Sequence, residues 1–333
     1  MSEPNNKQRV PRLSSKPLKE ASAPRVIPAS PRNSAQPASA PKKKNSGIAA
    51  IVFRISAAVF CISLVVLGFI GFNYWQGQNK YNNTTDLYFP TTDLSLLSLD
   101  EIHLNWDALR STNSETVAWI YIPGTNVNYP IVQAEDNNKY IKTDFYGETN
   151  WAVSYGAVFL DCDCEPDMSC QNNYFYGHNM NNGYMFHDIA LMDKDNTFND
   201  HRTVYLFTPQ GNYRLTSFAL LHVGAFDDLV QPMPGPDGEQ LEYLEEQVAR
   251  SVVTPSGKLP ALSEIDKTFV FITCDNEATD GRYALFCYVS DTTAKGVAKL
   301  ESNSVITYDD IQNIEGNASA AAAGESTDPE EAY

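Results

Sequence analysis

Two stretches of this chain end an apolar run in a residue able to do chemistry. Phe269-Val-Phe-Ile-Thr-Cys274 is β-branched and aromatic and stops at a thiol. A polar loop follows, Asp275-Asn-Glu-Ala-Thr-Asp-Gly281, and Arg282 opens the next apolar run, which continues to Val289. A cysteine at a strand end facing a loop is open to reaction, and a hairpin brings the first residue of the following strand beside it. The guanidinium there would favour the thiolate and later hold a developing oxyanion. Most free cysteines are instead small buried hydrophobes. Cys287 fits that description, because alternation along its strand turns it away from Arg282, to the side of Leu285 and Val289.

The second stretch is Tyr174-Phe-Tyr-Gly177-His178-Asn179-Met180. It is followed by the polar Asn181-Asn182-Gly183 and by Tyr184-Met-Phe186, which returns to the core. Histidine is the natural acid–base partner of a thiol, with an unperturbed pKa of about 6.5. Taken alone, His178 reads equally well as an ordinary loop histidine. His103, His187, His201 and His222 pair with no second motif and receive no catalytic role, although His187 could rim a groove next to His178.

These residues need elements to hold them. Eight strand-like runs separated by turn residues cover Val117–Ile122, Val127–Val132, Ala157–Leu160, Asn173–Tyr176, Thr203–Thr208, Tyr213–Val223, Thr268–Thr273 and Arg282–Val289. Pro209-Gln-Gly211-Asn212 reads as a hairpin turn. Eight short strands in one domain predict a mainly β fold, a barrel or a sandwich. Ile102, Trp106 and Leu109 predict a short amphipathic helix over 100–110. Leu241, Leu244, Val248 and Val252 share one face of a predicted helix over 238–252, inserted between the sixth and seventh strands.

The N-terminal third is different in kind. Residues 1–47 carry ten Lys and Arg against two acidic residues, and their Pro, Ser and Ala richness predicts a disordered basic tail. Ile55–Phe72 contains no charge, and with Ile48–Phe53 it forms a span of membrane-crossing length over 48–72. Lys42, Lys43 and Lys44 before it, and Tyr74 and Trp75 after it, predict a cytoplasmic N-terminus and an extracellular body. The length of the charged leader and the lack of a small-residue cleavage site favour an uncleaved anchor over a signal peptide. Residues 73–98 are expected to form a stalk, 99–310 the catalytic domain, and 311–333 a disordered acidic tail. From residue 73 onward, 13 basic residues face 39 acidic ones, which excludes nucleic acid as a partner.

One loop stands apart, Asp161-Cys-Asp-Cys-Glu-Pro-Asp-Met-Ser-Cys170. Cys162, Cys164 and Cys170 match no common zinc spacing, so a disulfide between two of them or free surface thiols is the favoured reading, and no metal is expected.

Several of these motifs, in order, resemble the sortase family, most closely its class B. They are Tyr-Gly-His178-Asn-Met with Met185-Phe186, Thr273-Cys274 with Arg282 eight residues later, and Val117-Ala-Trp-Ile-Tyr-Ile-Pro-Gly-Thr-Asn-Val-Asn-Tyr-Pro-Ile-Val-Gln133. The helix between the sixth and seventh strands and the short helix before the barrel suit that class. The resemblance covers roughly residues 100–292. It departs in Val270-Phe-Ile-Thr-Cys274, where the family carries Thr-Leu-x-Thr-Cys, and in the cysteine loop. It implies an eight-stranded sortase-type β-barrel and a membrane-anchored cysteine transpeptidase. Cys274 would be the nucleophile, Arg282 the oxyanion donor and His178 the acid–base, with no cofactor. The implied partners are surface or pilin proteins bearing a C-terminal sorting signal, and an amine of a peptidoglycan precursor or a pilin lysine. A cysteine endopeptidase that stops at hydrolysis is the nearest alternative, and a non-catalytic binding barrel a more distant one.

Overall fold

A computed structural model describes residues 46–89, 94, 97–150, 153, 155–233, 237–276 and 280–300. The expected basic tail, apart from its last two residues, and the acidic tail lie outside this range. The chain divides into two compact units, Met1–Ala58 and Val59–Tyr333. Of the first, only the opening of the helix α1 (Ser46–Tyr88) is described.

In the second unit eight strands close into a barrel. They are β1 (Thr116–Tyr121), β2 (Asn128–Val132), β3 (Val158–Leu160), β4 (Asn172–Tyr176), β5 (Thr203–Thr208), β6 (Gly211–Gly224), β7 (Thr268–Cys274) and β8 (Gly281–Thr292), in the order β1-β2-β3-β4-β7-β8-β6-β5. All eight predicted strands are present within a few residues of their predicted bounds. Closure removes the exposed edges that an open sheet of this size would leave. The β2–β3 and β4–β7 pairs are parallel and the others antiparallel. A parallel pair needs a long crossover. Between β4 and β7 that crossover contains β5, β6, and the helices α4 (His187–Ala190), α5 (Thr197–Asp200) and α6 (Asp237–Ala249). Phe175, Phe269, Phe271, Leu285 and Cys287 fill the barrel interior, with Phe175 and Phe271 stacked at 5.0 Å.

The helix α6 covers the outer face of β4. Tyr174 and Tyr243 share a hydroxyl bond of 2.8 Å, and Asn172 and Gln240 exchange two side-chain bonds of 2.9 and 3.1 Å. Leu244 and Val248 are buried as predicted, but the helix stops at Ala249 and Val252 is exposed. The chain there turns to pair with β6 instead, with the Val252 amide donating to Leu220 at 2.8 Å. The predicted helix over 100–110 is two pieces, a 3-10 turn at Leu99–Glu101 and α2 (Trp106–Thr112). Asn105 separates them, since its side chain caps α2 by accepting from the Ala108 amide at 3.0 Å.

The largest departure concerns residues 76–88. Instead of a stalk, they continue α1 and pack on the barrel. Tyr81 and Thr84 are buried there, Lys80 sits 2.5 Å from Asp144 and 2.7 Å from Glu148, and the Tyr81 hydroxyl donates to the Gly156 carbonyl. α1 is long and apolar enough to cross a membrane.

Candidate active site

Strand register assembles the site. In the parallel β4–β7 pair Tyr176 lies opposite Ile272, so the next residues of both strands run out together at one end of the barrel. The Gly177 amide continues the ladder to the Ile272 carbonyl at 3.1 Å, and one residue further come His178 and, after Thr273, Cys274. In the antiparallel β7–β8 pair Cys274 lies opposite Arg282. Directly opposed residues point to the same face of a sheet. Val270, Ile272 and Cys274 therefore take the outer face, while Phe269 and Phe271 take the interior.

His178, Cys274 and Arg282, the three residues expected from the sequence, border one cleft of about 370 Å³. Ile141, Ala157 and Tyr176 also line it. Gly177 lets the histidine turn form, because a β-carbon there would stand 2.7 Å from the Phe186 ring. The turn is closed by the Phe186 amide donating to the His178 carbonyl at 2.8 Å.

His178 Nε2 donates to the carbonyl of Ile141 at 2.6 Å, an atom of the helix α3 (Lys139–Lys142). A carbonyl can only accept, so the proton sits on Nε2 and Nδ1 is the nitrogen free to exchange one. Arg282 Nη1 donates to the Asp280 carboxylate at 2.9 Å and to the Gly281 carbonyl at 2.9 Å. Its Nε and Nη2 have no partner among the described residues. The Cys274 thiol is half-buried and its pKa is raised. Loss of hydration is the largest cause, Arg282 pulls in the opposite direction, and the nearby Asp280 and Asp275 carboxylates add to the rise.

Two residues given no role from the sequence tie the histidine loop to the cysteine loop. Asn179 Nδ2 donates to the Cys274 carbonyl at 2.9 Å, and its Oδ1 accepts from His187 Nδ1 at 2.8 Å. Asn276 Nδ2 donates to the Asn179 carbonyl at 2.7 Å. Behind them the Asp275 side chain, almost fully buried, accepts from the Gly281 amide at 3.1 Å and pairs with His222 at 3.0 Å. The only sequence signal for these contacts was the density of Asn in both loops.

The remaining cysteines are placed by burial. Cys287 is fully buried in the barrel, as its alternation required. Cys164 and Cys170 are buried too, so two of the three loop cysteines are not surface thiols, and all three are unbridged. Burial pushes the Cys164 thiol up to about 12. Asp161, Cys162 and Asp163 come within 4.8 Å of one another. Asp161 is already engaged, however, by the Tyr176 hydroxyl at 2.7 Å and by Asn137 at 3.0 Å.

The chain is similar to proteins already characterised. It is 28% identical over 228 residues to Sortase B of Listeria monocytogenes, a match covering 65% of this chain and 89% of the relative. It is 24% identical over 183 residues to Sortase B of Staphylococcus aureus, covering 54% and 72%. The X-ray structure of Clostridium perfringens Sortase B superposes with a TM-score of 0.52 at 25% identity, covering 56% of this chain and 100% of that one. No protein-family model matches the chain. With the closed eight-stranded barrel and the helix between β6 and β7, these likenesses make the chain a homologue of sortase B, a cysteine transpeptidase.

Proposed function

We propose that this transpeptidase cuts the C-terminal sorting signal of surface or pilin proteins and joins the retained carboxyl to an amine. That amine belongs to a peptidoglycan precursor or a pilin lysine. In the first half-reaction Cys274 loses its proton to Nδ1 of His178 and its sulfur attacks the scissile carbonyl. Arg282 holds the oxyanion through the donors that Asp280 leaves unused. Collapse breaks the peptide C–N bond, and His178 returns its proton to the leaving amine. In the second half-reaction the acceptor amine attacks the thioester, a C–N bond replaces the C–S bond, and His178 takes the amine proton.

The observation that carries this reading is the register. Parallel β4–β7 pairing and antiparallel β7–β8 pairing direct His178, Cys274 and Arg282 into one cleft. The apolar part of α1 would anchor the enzyme, with residues 1–47 on the cytoplasmic side and the barrel outside. Tethering enzyme and substrate to one surface raises their effective concentration.

The test is incubation of the full chain in detergent with a library of sorting-signal peptides and triglycine, with products read by mass spectrometry. Ligated peptide is expected. Hydrolysed fragments alone, at saturating triglycine, would make the protein an endopeptidase.

A further inference from the structure

The β3–β4 connection carries a pair of thiols that the transpeptidase chemistry does not use. Cys164 and Cys170 are both buried, although the chain around them is acidic. Between them the backbone doubles back. The Met168 amide donates to the Glu165 carbonyl at 3.0 Å, Pro166 sits inside that turn, and Met168 takes the left-handed conformation at φ 64. Lys267 closes the return by donating to the Met168 carbonyl at 2.8 Å and to the Cys170 carbonyl. Cys170 Sγ thereby accepts from the Glu165 amide at 3.1 Å, and that nitrogen is bonded directly to the carbonyl carbon of Cys164. The two cysteine side chains are in hydrogen-bonding reach of each other. Cys162 is turned elsewhere, with its sulfur 4.0 Å from the Asp163 carboxylate.

The same loop is tied to the active cleft. Asp161 accepts from the Tyr176 hydroxyl at 2.7 Å and from Asn137 at 3.0 Å, and Tyr176 and Asn137 both line the cleft. The Cys164 amide donates to the Asp161 carbonyl at 3.1 Å. The Gln133 side chain donates to the carbonyls of Asp161 at 2.8 Å and Cys164 at 2.6 Å, so the thiol loop and the anchor of the cleft wall hang on one amide. A crosslink that fixes Cys164 also fixes Asp161.

We propose that Cys164 and Cys170 are a disulfide site, closed outside the cell into a bridge that locks the β3–β4 loop and, through Asp161, the Tyr176–Asn137 wall of the peptide cleft. The inference rests on the barrel facing the exterior, as proposed above, where disulfides persist. The oxidant is itself a disulfide, that of oxidised glutathione or of a thiol oxidoreductase. One cysteine of the pair, as its thiolate, attacks that bond and expels the first thiol. The thiolate of the other cysteine attacks the mixed disulfide, the Cys164–Cys170 bond forms, and the second thiol leaves. Two electrons and two protons pass from the pair to the oxidant. Burial pushes the Cys164 thiol up to about 12, so the exchange runs while the loop is open and not in the closed fold.

The full chain in detergent is equilibrated with a glutathione redox buffer, or with dithiothreitol, in urea just below its unfolding midpoint, where local opening exposes the pair. Urea is removed, and brief treatment with reduced glutathione frees the accessible Cys274 while leaving a buried bridge intact. One portion is trapped with N-ethylmaleimide in denaturant and mapped by mass spectrometry. In the glutathione sample the peptide holding Cys164 and Cys170 should lack label at both and be about 2 Da lighter there, with Cys162 labelled. The bridged protein should melt roughly 5–10 °C above the reduced one, and Cys164→Ala/Cys170→Ala should melt alike after both treatments. In cleavage of a sorting-signal peptide, reduction should raise KM about fivefold with kcat unchanged, because the bridge orders the cleft wall and leaves the three reacting side chains in place. The proposal is overturned if Cys164 and Cys170 are both labelled, if the bridge uses Cys162, if the two melts coincide, or if KM does not move. If neither form processes any peptide, the substrate reading has failed, and the mapping and the melts still decide whether the pair is a disulfide.

Discussion

Replacing Asn179 with alanine removes the two side-chain bonds that join the histidine loop, the cysteine loop and His187. One runs to the Cys274 carbonyl at 2.9 Å and the other comes from His187 at 2.8 Å. Each is a neutral, part-buried hydrogen bond, with a net worth of about 0.5–1.5 kcal/mol. Together they amount to about 1–3 kcal/mol, or roughly 5- to 150-fold if all of it is expressed in the transition state. Water can rehydrate the partly exposed site, so the lower part of that range, about tenfold in kcat/KM, is expected. His187→Ala removes only the second bond and should cost about fivefold or less. Because His187 acts through Asn179, His187→Ala should have no further effect in the Asn179→Ala background. The assay is peptide cleavage across the four proteins of the cycle, with thermal melts to confirm that each is folded. Full activity in folded Asn179→Ala, or additive effects of the two changes, would refute the idea that this chain of bonds positions the nucleophile.

Three other outcomes follow from the same geometry. Arg282→Lys should lose most of its kcat, because lysine lacks the planar fork that can bond Asp280 and an oxyanion together; retention of full turnover would remove Arg282 from the oxyanion role. Since its folded pKa lies above the ordinary 9.0, Cys274 should be mostly protonated at neutral pH, and its alkylation by iodoacetamide should still be climbing above pH 9; a plateau at pH 7 would contradict the raised pKa. Phe271→Ala should cost about 3–5 kcal/mol of stability in urea unfolding, because the ring is fully buried and stacked on Phe175; a loss under 1 kcal/mol would show that the barrel interior is not packed as described.

Much of the site was legible because it is local. Cys274 and Arg282 are joined by one hairpin, so an apolar run ending in Cys and another beginning with Arg already imply that they face each other. Cys287 could be sent to the core by counting alternation. Bringing His178 to the same place from residue pattern alone was not possible, since the β4–β7 pairing joins residues about a hundred positions apart and no local pattern sets its register. Resemblance supplied that link, and the register gives it a physical basis. The extension of α1 through Tyr88 was hidden for a different reason. Its buried contacts are made by Tyr81, Thr84 and Lys80, residues that a search for apolar periodicity passes over. The end of α6 was misread because Val252 continues the apolar spacing yet belongs to a β-type contact with Leu220. The loop cysteines were read from their spacing as bridged or as free surface thiols, whereas Cys164 and Cys170 turn inward and are unbridged in this structure.

The claim on which the account stands is that Cys274 becomes covalently acylated and then gives up its acyl group to an amine. Peptide mapping of the full chain, quenched during turnover of a sorting-signal peptide, measures this directly. The account predicts one thioester adduct, on Cys274, that disappears when triglycine is added and reappears as ligated peptide. An adduct on Cys162 or any other residue, or turnover that proceeds in Cys274→Ala, would contradict it.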